Sequence, residues 1–278
     1  MSGILTIATS QFAVSANVKT NLSAIRKQTR MAASAGADII HFCECSISGY
    51  TGIDYNDVND LDNNLLQSSI KSILKLASDY CISIIIGSHH FENNQHKPYN
   101  SLYLINEKGE IEDRYDKRFL TGPQGEQELK HYSAGERAVT FERKGVKCGL
   151  LICHEWRYPE LYREYYQMGV NIIFQSWYDG NLSDEGYHRE GKDLGELIPG
   201  TVRGNAANNH LWISASNTCR KESSFSGFVV QPDGKILHKL SRNRSGVLIS
   251  RIDVNQKFVD PSAHNRDRVI KMKQGENL

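Results

Sequence analysis

The sequence predicts an α/β protein built on mixed β-sheets. Short apolar runs of strand length alternate with longer runs of helical period, and this alternation is typical of helices packed on sheets. Some neighbouring strand runs are joined by short glycine turns, which predicts antiparallel hairpins beside the helical crossovers. The chain has 278 residues, a suitable length for one large α/β domain or two small domains, and we find no internal repeat or low-complexity linker. We therefore expect residues 1–278 to form a single domain.

The predicted strands are short runs of apolar and β-branched residues bounded by turn-forming residues. In chain order they cover residues 4–10, 38–43, 82–87, 99–105, 111–115, 146–152, 171–177, 211–216, 228–230, 235–237 and 247–253. The turns at Gly109 and Gly234 each join two of these runs, so we expect one hairpin over 99–115 and another over 228–237.

The predicted helices lie between these strands and cover residues 19–35, 65–78, 159–168 and 201–208. In the first helix, Leu22 and Ile25 fall on or near one face, as in a helix with one buried side. Pro159 suits a first helical turn, and Gly169 suits the end of the same helix. Residues 118–136 have no clear period, so we expect a long polar loop there, and such loops in compact domains are often functional.

The composition excludes several classes of partner. Lysine and arginine total 33 and aspartate and glutamate total 32, and no basic stripe is visible, so we expect no nucleic-acid partner. The longest apolar runs fall far short of the roughly 20 residues of a membrane span. The N-terminal residues do not resemble a signal peptide. We therefore expect a soluble, cytoplasmic protein with no membrane partner.

The cysteines and histidines give no metal-binding pattern. The six cysteines include no C-x-x-C pair and no cluster with histidine at zinc spacing. Without an export signal, a disulfide framework is also disfavoured. His89, His90 and His96 form the alternative metal set, but adjacent histidines on a strand point to opposite faces. We therefore expect no metal site.

Three predicted strands end next to residues that could take part in catalysis. Glu44, Lys117 and Cys153 each follow such a strand, and ligands of α/β proteins tend to bind beyond the carboxyl ends of strands. If the three ends meet, the carboxylate can deprotonate the thiol for attack on a carbonyl, and the ammonium can stabilise the oxyanion. Taken singly, each has an ordinary alternative: a structural cysteine, a hydrogen-bonded strand-end glutamate and a surface lysine.

The sequence motifs in these segments favour the catalytic interpretation. Residues 153–160 read CHEWRYPE and resemble the nucleophile motif of the nitrilase superfamily of carbon–nitrogen hydrolases, C-x-[D/E]-x-R-x-P-E. Residues 42–44 (FCE), followed by 48–50 (SGY), resemble its glutamate motif, and residues 115–120 (YDKRFL) resemble its lysine motif. The order and the spacing of the three motifs also match, and the resemblance spans nearly the whole chain.

The resemblance implies a fold and a mechanism. Members of the superfamily adopt a four-layer α-β-β-α sandwich with two mixed β-sheets, usually dimerise through the outer helices, and need no metal or organic cofactor. By motif, Glu44 is the general base, Lys117 the oxyanion stabiliser and Cys153 the nucleophile. The backbone N–H of His154 would be the second oxyanion donor. The expected partners are a small-molecule amide and a second copy of the chain, which would form a homodimer or a higher homo-oligomer.

Two further residues are candidates by the same resemblance. Many members use a second glutamate in the loop after the lysine, and here Glu128 aligns best, with Glu126 as the alternative. Its role would be to position Lys117 or the substrate, and the alternative is a solvated loop carboxylate. Trp177 follows a predicted strand in a region that borders the substrate pocket in the family, although an ordinary core tryptophan is an equal alternative.

The motif details favour an amide over a nitrile as the substrate. True nitrilases tend to carry C-W-E-N at the nucleophile, whereas this chain has C-H-E-W at residues 153–156. The predicted reaction is hydrolysis of a small amide through a cysteine thioester, with release of ammonia or an amine. The alternatives are an N-carbamoyl amine hydrolase and, less favoured, a nitrilase or a non-catalytic binding protein of the same fold. Cys43 and His154 depart from the usual motif residues, and they leave the substrate open.

Overall fold

The computed structural model describes residues 3–92, 97–123, 126–180 and 184–273. In chain order, the strands are β1 (Ile4–Gln11), β2 (Ile39–His41), β3 (Ser83–His90), β4 (Tyr99–Ile105), β5 (Ile111–Asp116), β6 (Thr140–Arg143), β7 (Val146–Ile152), β8 (Ile172–Ser176), β9 (Trp212–Ser216), β10 (Phe228–Val230), β11 (Ile236–Lys239) and β12 (Gly246–Asp253). The α-helices are α1 (Val18–Ser34), α2 (Asn63–Tyr80), α3 (Gln127–His131), α4 (Pro159–Gln167), α5 (Asp184–Gly186), α6 (Lys192–Asn209) and α7 (Ala263–Lys273).

The strands form two six-stranded sheets of similar design. The first has the order β12-β1-β2-β3-β4-β5 and the second the order β11-β10-β9-β8-β7-β6. In the first sheet β1, β2 and β3 are parallel, and in the second β7, β8 and β9 are parallel. The remaining strands of both sheets pair antiparallel. Both sheets are therefore mixed, which confirms the predicted α/β class.

Alternating residues of the first sheet fill two different cores. Ile39 belongs to the core between the sheets, where it joins residues such as Leu150 and Phe174 of the second sheet. Its neighbour Ile40 points to the other side, where it packs with apolar residues of α1 and α2 such as Ile25. Helices α4 and α6 pack together beside the second sheet. The result is the predicted four-layer α-β-β-α sandwich.

Some elements differ from the sequence prediction. The supposed loop 118–136 contains the short helix α3, and β6 lies just beyond it. Helix α6 begins well before residue 201 and continues through Pro199, a residue that normally argues against a helix interior. Helix α7 was not predicted because its few apolar residues stand among charged residues and define no apolar face. None of the helices in the described part of the chain has both the length and the hydropathy that crossing a membrane requires.

The adjacent histidines of β3 have separate structural partners. His89 is buried, and its two ring nitrogens contact Ser48 Oγ at 2.6 Å and Thr51 Oγ1 at 2.8 Å. His90 contacts Tyr103 Oη at 2.7 Å. Burial lowers the pKa of His89 to about 3, so its ring is neutral. His96 lies outside the described residues, within which no group of three or more histidine, cysteine or acidic side chains could hold a metal.

Candidate active site

Glu44 lies in the tight turn that follows β2 and is fully buried. Its Oε1 accepts hydrogen bonds from Lys117 Nζ at 2.9 Å and Asn100 Nδ2 at 2.7 Å, and its Oε2 accepts one from the Tyr178 backbone N–H at 2.8 Å. The turn lies directly on the backbone of Gly87, where an added Cβ would come within 2.4 Å of a turn backbone nitrogen. Glycine at that position therefore allows the turn to deliver the carboxylate into the interior.

Lys117 is the first residue after β5 and is also fully buried. Its Nζ donates to Glu44 Oε1 at 2.9 Å and to Glu128 Oε1 at 2.7 Å. Burial alone would lower the pKa of Lys117, but the charges of Glu128 and Glu44 outweigh it and hold that pKa well above its usual range. The side chain is therefore a fixed ammonium between two carboxyl groups.

Glu128 reaches Lys117 from the short helix α3. Its Oε1 also accepts a hydrogen bond from the Tyr50 hydroxyl, and its Oε2 accepts one from the Thr121 backbone N–H at 2.7 Å. Glu126, the alternative in the sequence, is exposed and its side chain makes no capping hydrogen bond at the start of α3. The structure therefore places Glu128, and not Glu126, beside the lysine.

The two carboxyl groups on Lys117 have opposite pKa shifts. Burial raises the pKa of Glu44, and the negative charge of Glu128 adds to this effect, while Lys117 only partly offsets it. Burial would also raise the pKa of Glu128, but the charge of Lys117 and three hydrogen bonds lower it below its usual range. Paired groups with divergent pKa values commonly divide acid–base roles between them. Glu44 is the member suited to exchange a proton, and Glu128 the member suited to keep its charge.

Cys153 lies at the end of β7, where the chain turns sharply. Its φ of +40° is in the left-handed region, which is uncommon for a residue other than glycine. Burial raises the pKa of its thiol, the charge of Glu44 raises it further, and Lys117 opposes them without prevailing. The raised pKa favours the thiol over the thiolate, so a base that accepts its proton would make the sulfur more nucleophilic.

Glu155 ties the end of β7 to the segment that carries Lys117. Its Oε2 accepts from the Ile152 N–H at 2.7 Å, and its Oε1 accepts from the Tyr115 hydroxyl at 2.7 Å and the Arg118 N–H at 2.8 Å. These bonds connect residues next to Cys153 with residues on both sides of Lys117. The acidic residue of the C-x-E motif thus fixes the cysteine strand relative to the lysine strand.

A cavity of about 450 Å³ opens above Cys153. Its lining includes Tyr50, Glu128, His154 and Trp177. Trp177 is fully buried and meets Phe225 edge-to-face at 5.7 Å, so it is both a cavity wall and a core side chain. Burial lowers the pKa of the half-buried His154, with Lys117 adding to the effect, so its ring is uncharged at neutral pH.

The structure brings the six predicted residues to one end of the sandwich, and it adds two that the sequence reasoning missed. Asn100, within β4, donates to both Glu44 and Glu128. Tyr50 donates to Glu128 and lines the cavity. Tyr50 stands in the SGY segment that resembles the family motif, which is the signal that could have found it. The only sequence signal for Asn100 is that it is a polar residue within an apolar strand run.

Comparison with known proteins defines the class of the chain. The model of the carbon–nitrogen hydrolase family matches residues 6–256. The chain therefore belongs to the carbon–nitrogen hydrolase family, and it is a hydrolase that acts on carbon–nitrogen bonds.

Several of its relatives are amidases, at low sequence identity. The chain is 28% identical over 229 residues to a 2-oxoglutaramate amidase of Bacillus subtilis, covering 80% of this chain and 81% of that protein. It is 24% identical over 271 residues to an N-carbamoylputrescine amidase of Arabidopsis thaliana, covering 90% of this chain and 86% of that protein. Among solved structures, a mutant amidase from Nesterenkonia sp. AN1 in complex with butyramide matches with a TM-score of 0.79 at 20% identity, over 98% of this chain and 96% of that one. This similarity shows that the two proteins share the fold.

Proposed function

We propose that this protein hydrolyses a small linear amide, with Cys153 as nucleophile, Glu44 as general base and Lys117 as oxyanion stabiliser. One observation carries the proposal: the buried Glu44 and Glu128 carboxyl groups share the Lys117 ammonium, and Glu128 lines the same cavity as the Cys153 thiol. That arrangement supplies a base, a positive charge and a nucleophile within one site.

The first half of the proposed reaction forms a thioester. Glu44 takes the Cys153 proton as the sulfur attacks the amide carbonyl carbon, and the resulting oxyanion is stabilised by Lys117 and the backbone N–H of His154. The tetrahedral intermediate collapses with cleavage of the C–N bond, and the Glu44 proton passes to the leaving nitrogen. Ammonia or an amine leaves, and the acyl group remains on Cys153.

The second half of the reaction releases the acid. Glu44, again a carboxylate, takes a proton from a water molecule, and the oxygen attacks the thioester carbonyl. Collapse of the second intermediate breaks the C–S bond, and Cys153 regains a proton from Glu44. Throughout both halves, Glu128 keeps Lys117 charged and in place. In this assignment Glu128 is a positioning residue, and Trp177 and His154 wall the substrate cavity.

An N-carbamoyl amine is the second candidate substrate class. Three of the relatives are N-carbamoylputrescine amidases, at 23–24% identity and with coverage of at least 90% of this chain. The same cysteine chemistry would then consume one water molecule and release carbon dioxide, ammonia and the free amine. The yield of carbon dioxide relative to ammonia distinguishes this candidate from a simple amide. A nitrile substrate and a non-catalytic binding role are the less favoured candidates.

We also propose that the chain acts as a single-domain, cytoplasmic enzyme and assembles into a homodimer through its outer helices. Two exposed apolar side chains support the choice of surface, namely Leu197 on α6 and Met168 directly after α4. Light scattering of the purified protein measures the assembly directly, and a strictly monomeric mass would contradict the proposed dimer.

The test of the proposed activity is release of ammonia from a panel of small amides, N-carbamoyl amines and nitriles. Wild-type protein is compared with Cys153→Ala, and carbon dioxide is measured in parallel. We expect turnover of at least one amide and none by the variant. Equal rates for the two proteins would contradict the role of Cys153. If folded wild type hydrolyses nothing, the rate at which iodoacetamide labels Cys153, relative to the other five cysteines, separates a silent site from an untested substrate.

A further inference from the structure

A chain of four polar side chains crosses the core between the two sheets. Thr9 and His41 belong to the first sheet, Ser176 and Ser214 to the second, and all four are fully buried. Thr9 Oγ1 lies 2.8 Å from Ser214 Oγ, which lies 2.9 Å from His41 Nδ1. His41 Nε2 lies 2.8 Å from Ser176 Oγ, which lies 2.8 Å from the carbonyl oxygen of Phe42.

The direction of each of these four hydrogen bonds can be deduced. The Phe42 carbonyl has no proton, so the Ser176 hydroxyl donates to it and accepts from His41 Nε2–H. Burial lowers the pKa of His41 to about 3, so the ring is neutral and its Nδ1 is an acceptor. Ser214 therefore donates to Nδ1, and Thr9 donates to Ser214. All four side chains are thereby satisfied in a single arrangement, with His41 in the Nε2–H tautomer.

This row of hydrogen-bonded side chains connects the two segments that carry Glu44 and Cys153. Phe42 stands two residues before Glu44, and Ser176 stands two residues before Tyr178, whose N–H donates to Glu44 Oε2 at 2.8 Å. In the second sheet, Ser176 is the register partner of Ile152, the residue that precedes Cys153. The hydrogen bond from Ser176 to Phe42 thus joins the strand of the proposed base to the strand next to the proposed nucleophile.

A core of apolar side chains would fill this space without the cost of burying polar groups. Packing alone therefore does not explain why these four polar side chains are buried together. We propose that His41 is a positioning residue, which holds the Ser176 hydroxyl proton on the Phe42 carbonyl and so fixes the separation of Glu44 and Cys153. This inference rests on the proposed function of those two residues. It predicts that disturbing His41 affects the chemical step more than substrate binding.

The test uses three variants of the full-length protein. His41→Leu removes the donor to the Ser176 hydroxyl, and Ser176→Ala removes the hydrogen bond to the Phe42 carbonyl itself. The second variant keeps the test available if the first fails to fold. His41→Gln restores one donor and one acceptor in the same side chain. The first readout is the rate of Cys153 alkylation by iodoacetamide as a function of pH, followed by mass spectrometry. The second is kcat and KM for the best amide of the panel.

We expect His41→Leu and Ser176→Ala to lower both the alkylation rate at neutral pH and kcat by about 10- to 100-fold, because small displacements of reacting groups have effects of that size. KM should change by less than about threefold, since no substrate contact is removed. His41→Gln should recover most of the loss. The matched control is Ile7→Val, which removes a methylene group from the same inter-sheet core and should lower Tm with kcat within about twofold of wild type.

The outcomes separate the two proposals. If His41→Leu and Ser176→Ala lower Tm as Ile7→Val does, yet keep wild-type alkylation and kcat, the positioning role of His41 is wrong and the chain is only structural. If wild type hydrolyses no amide but its Cys153 is alkylated fast, and the variants slow this step, the positioning role stands and the proposed substrate class fails. If wild-type Cys153 reacts no faster than the buried cysteines, both proposals fail.

Discussion

The strand end that carries Glu44 and the loop helix that carries Glu128 deliver the same functional group to the same lysine, yet they do so in different ways. Glu44 accepts from one backbone N–H and two side chains, and burial raises its pKa. Glu128 accepts from Lys117, from a tyrosine hydroxyl, from the Asn100 side chain and from a backbone N–H, and its pKa is lowered in spite of its burial. The comparison teaches that the environment, and not the residue type, sets the opposite pKa shifts of the two carboxyl groups.

The substitution with the largest expected effect is Glu44→Gln. The amide cannot take the proton of Cys153, whose pKa is raised by burial, so the nucleophile stays protonated. We expect kcat to fall by about 10³- to 10⁴-fold, the upper range for loss of a general base. Steady-state rates of ammonia release measure this loss, with circular dichroism as the control for folding. A variant that keeps a tenth of the wild-type rate would remove Glu44 from the role of base.

Glu128→Gln tests the proposal that Glu128 keeps its charge and positions Lys117. The variant keeps the shape and one acceptor for Lys117, but it removes the fixed negative charge. We expect kcat to fall by about 10- to 100-fold, less than for Glu44→Gln, because Lys117 loses orientation while the base remains. Both variants are measured with the same substrate at the same pH. Equal losses would mean that the two carboxylates act as one unit, and the division of roles would then be incorrect.

The pH profile of the Glu128→Gln variant sharpens the same comparison. Activity needs Glu44 as a carboxylate, and its raised pKa places the acid limb of kcat/KM above the usual range of a glutamate, with the rate falling as pH drops through that value. The charge of Glu128 contributes to raising this pKa, so removing it should move the limb to lower pH. The profile is measured for wild type and variant in the same buffers. A limb that stays in place or moves to higher pH would contradict the assignment of this pKa to Glu44.

The sequence predicted the strand-end part of the site better than the loop part. Glu44 and Cys153 each follow an apolar strand, Lys117 follows the largely polar strand β5, and all three stand in a recognisable motif, so local patterns were enough to select them. Their meeting in space is observed, and their catalytic roles remain predictions. The choice between Glu126 and Glu128 could not be made locally, because α3 begins between the two and only its packing over Lys117 buries one of them.

The fold, too, could be predicted only as far as local sequence patterns and the family resemblance allow. The mixed sheets follow from local periodicity and the four layers from the family resemblance, and both are confirmed. What the sequence did not predict depends on contacts between distant residues. Asn100 is a strand residue whose function comes from neighbours 56 and 28 positions away. His41 reaches side chains 135 and 173 positions away, and nothing in residues 38–43 alone indicates these partners.

The smallest expected effect belongs to Tyr50→Phe, which touches Glu128 without touching Glu44. The variant removes one of the hydrogen bonds that lower the pKa of Glu128, while Lys117 and the Thr121 N–H still hold the carboxylate. We expect kcat/KM to fall by about 2- to 10-fold, since a single bond to a charged group is lost and the charge is kept. The matched control is Glu126→Gln in the same loop, an exposed change that should leave the rate within about twofold of wild type. If Tyr50→Phe instead approaches the loss of Glu44→Gln, the tyrosine hydroxyl takes part in the chemistry itself, because loss of one support for a counter-ion cannot disable a base that retains its own three hydrogen bonds.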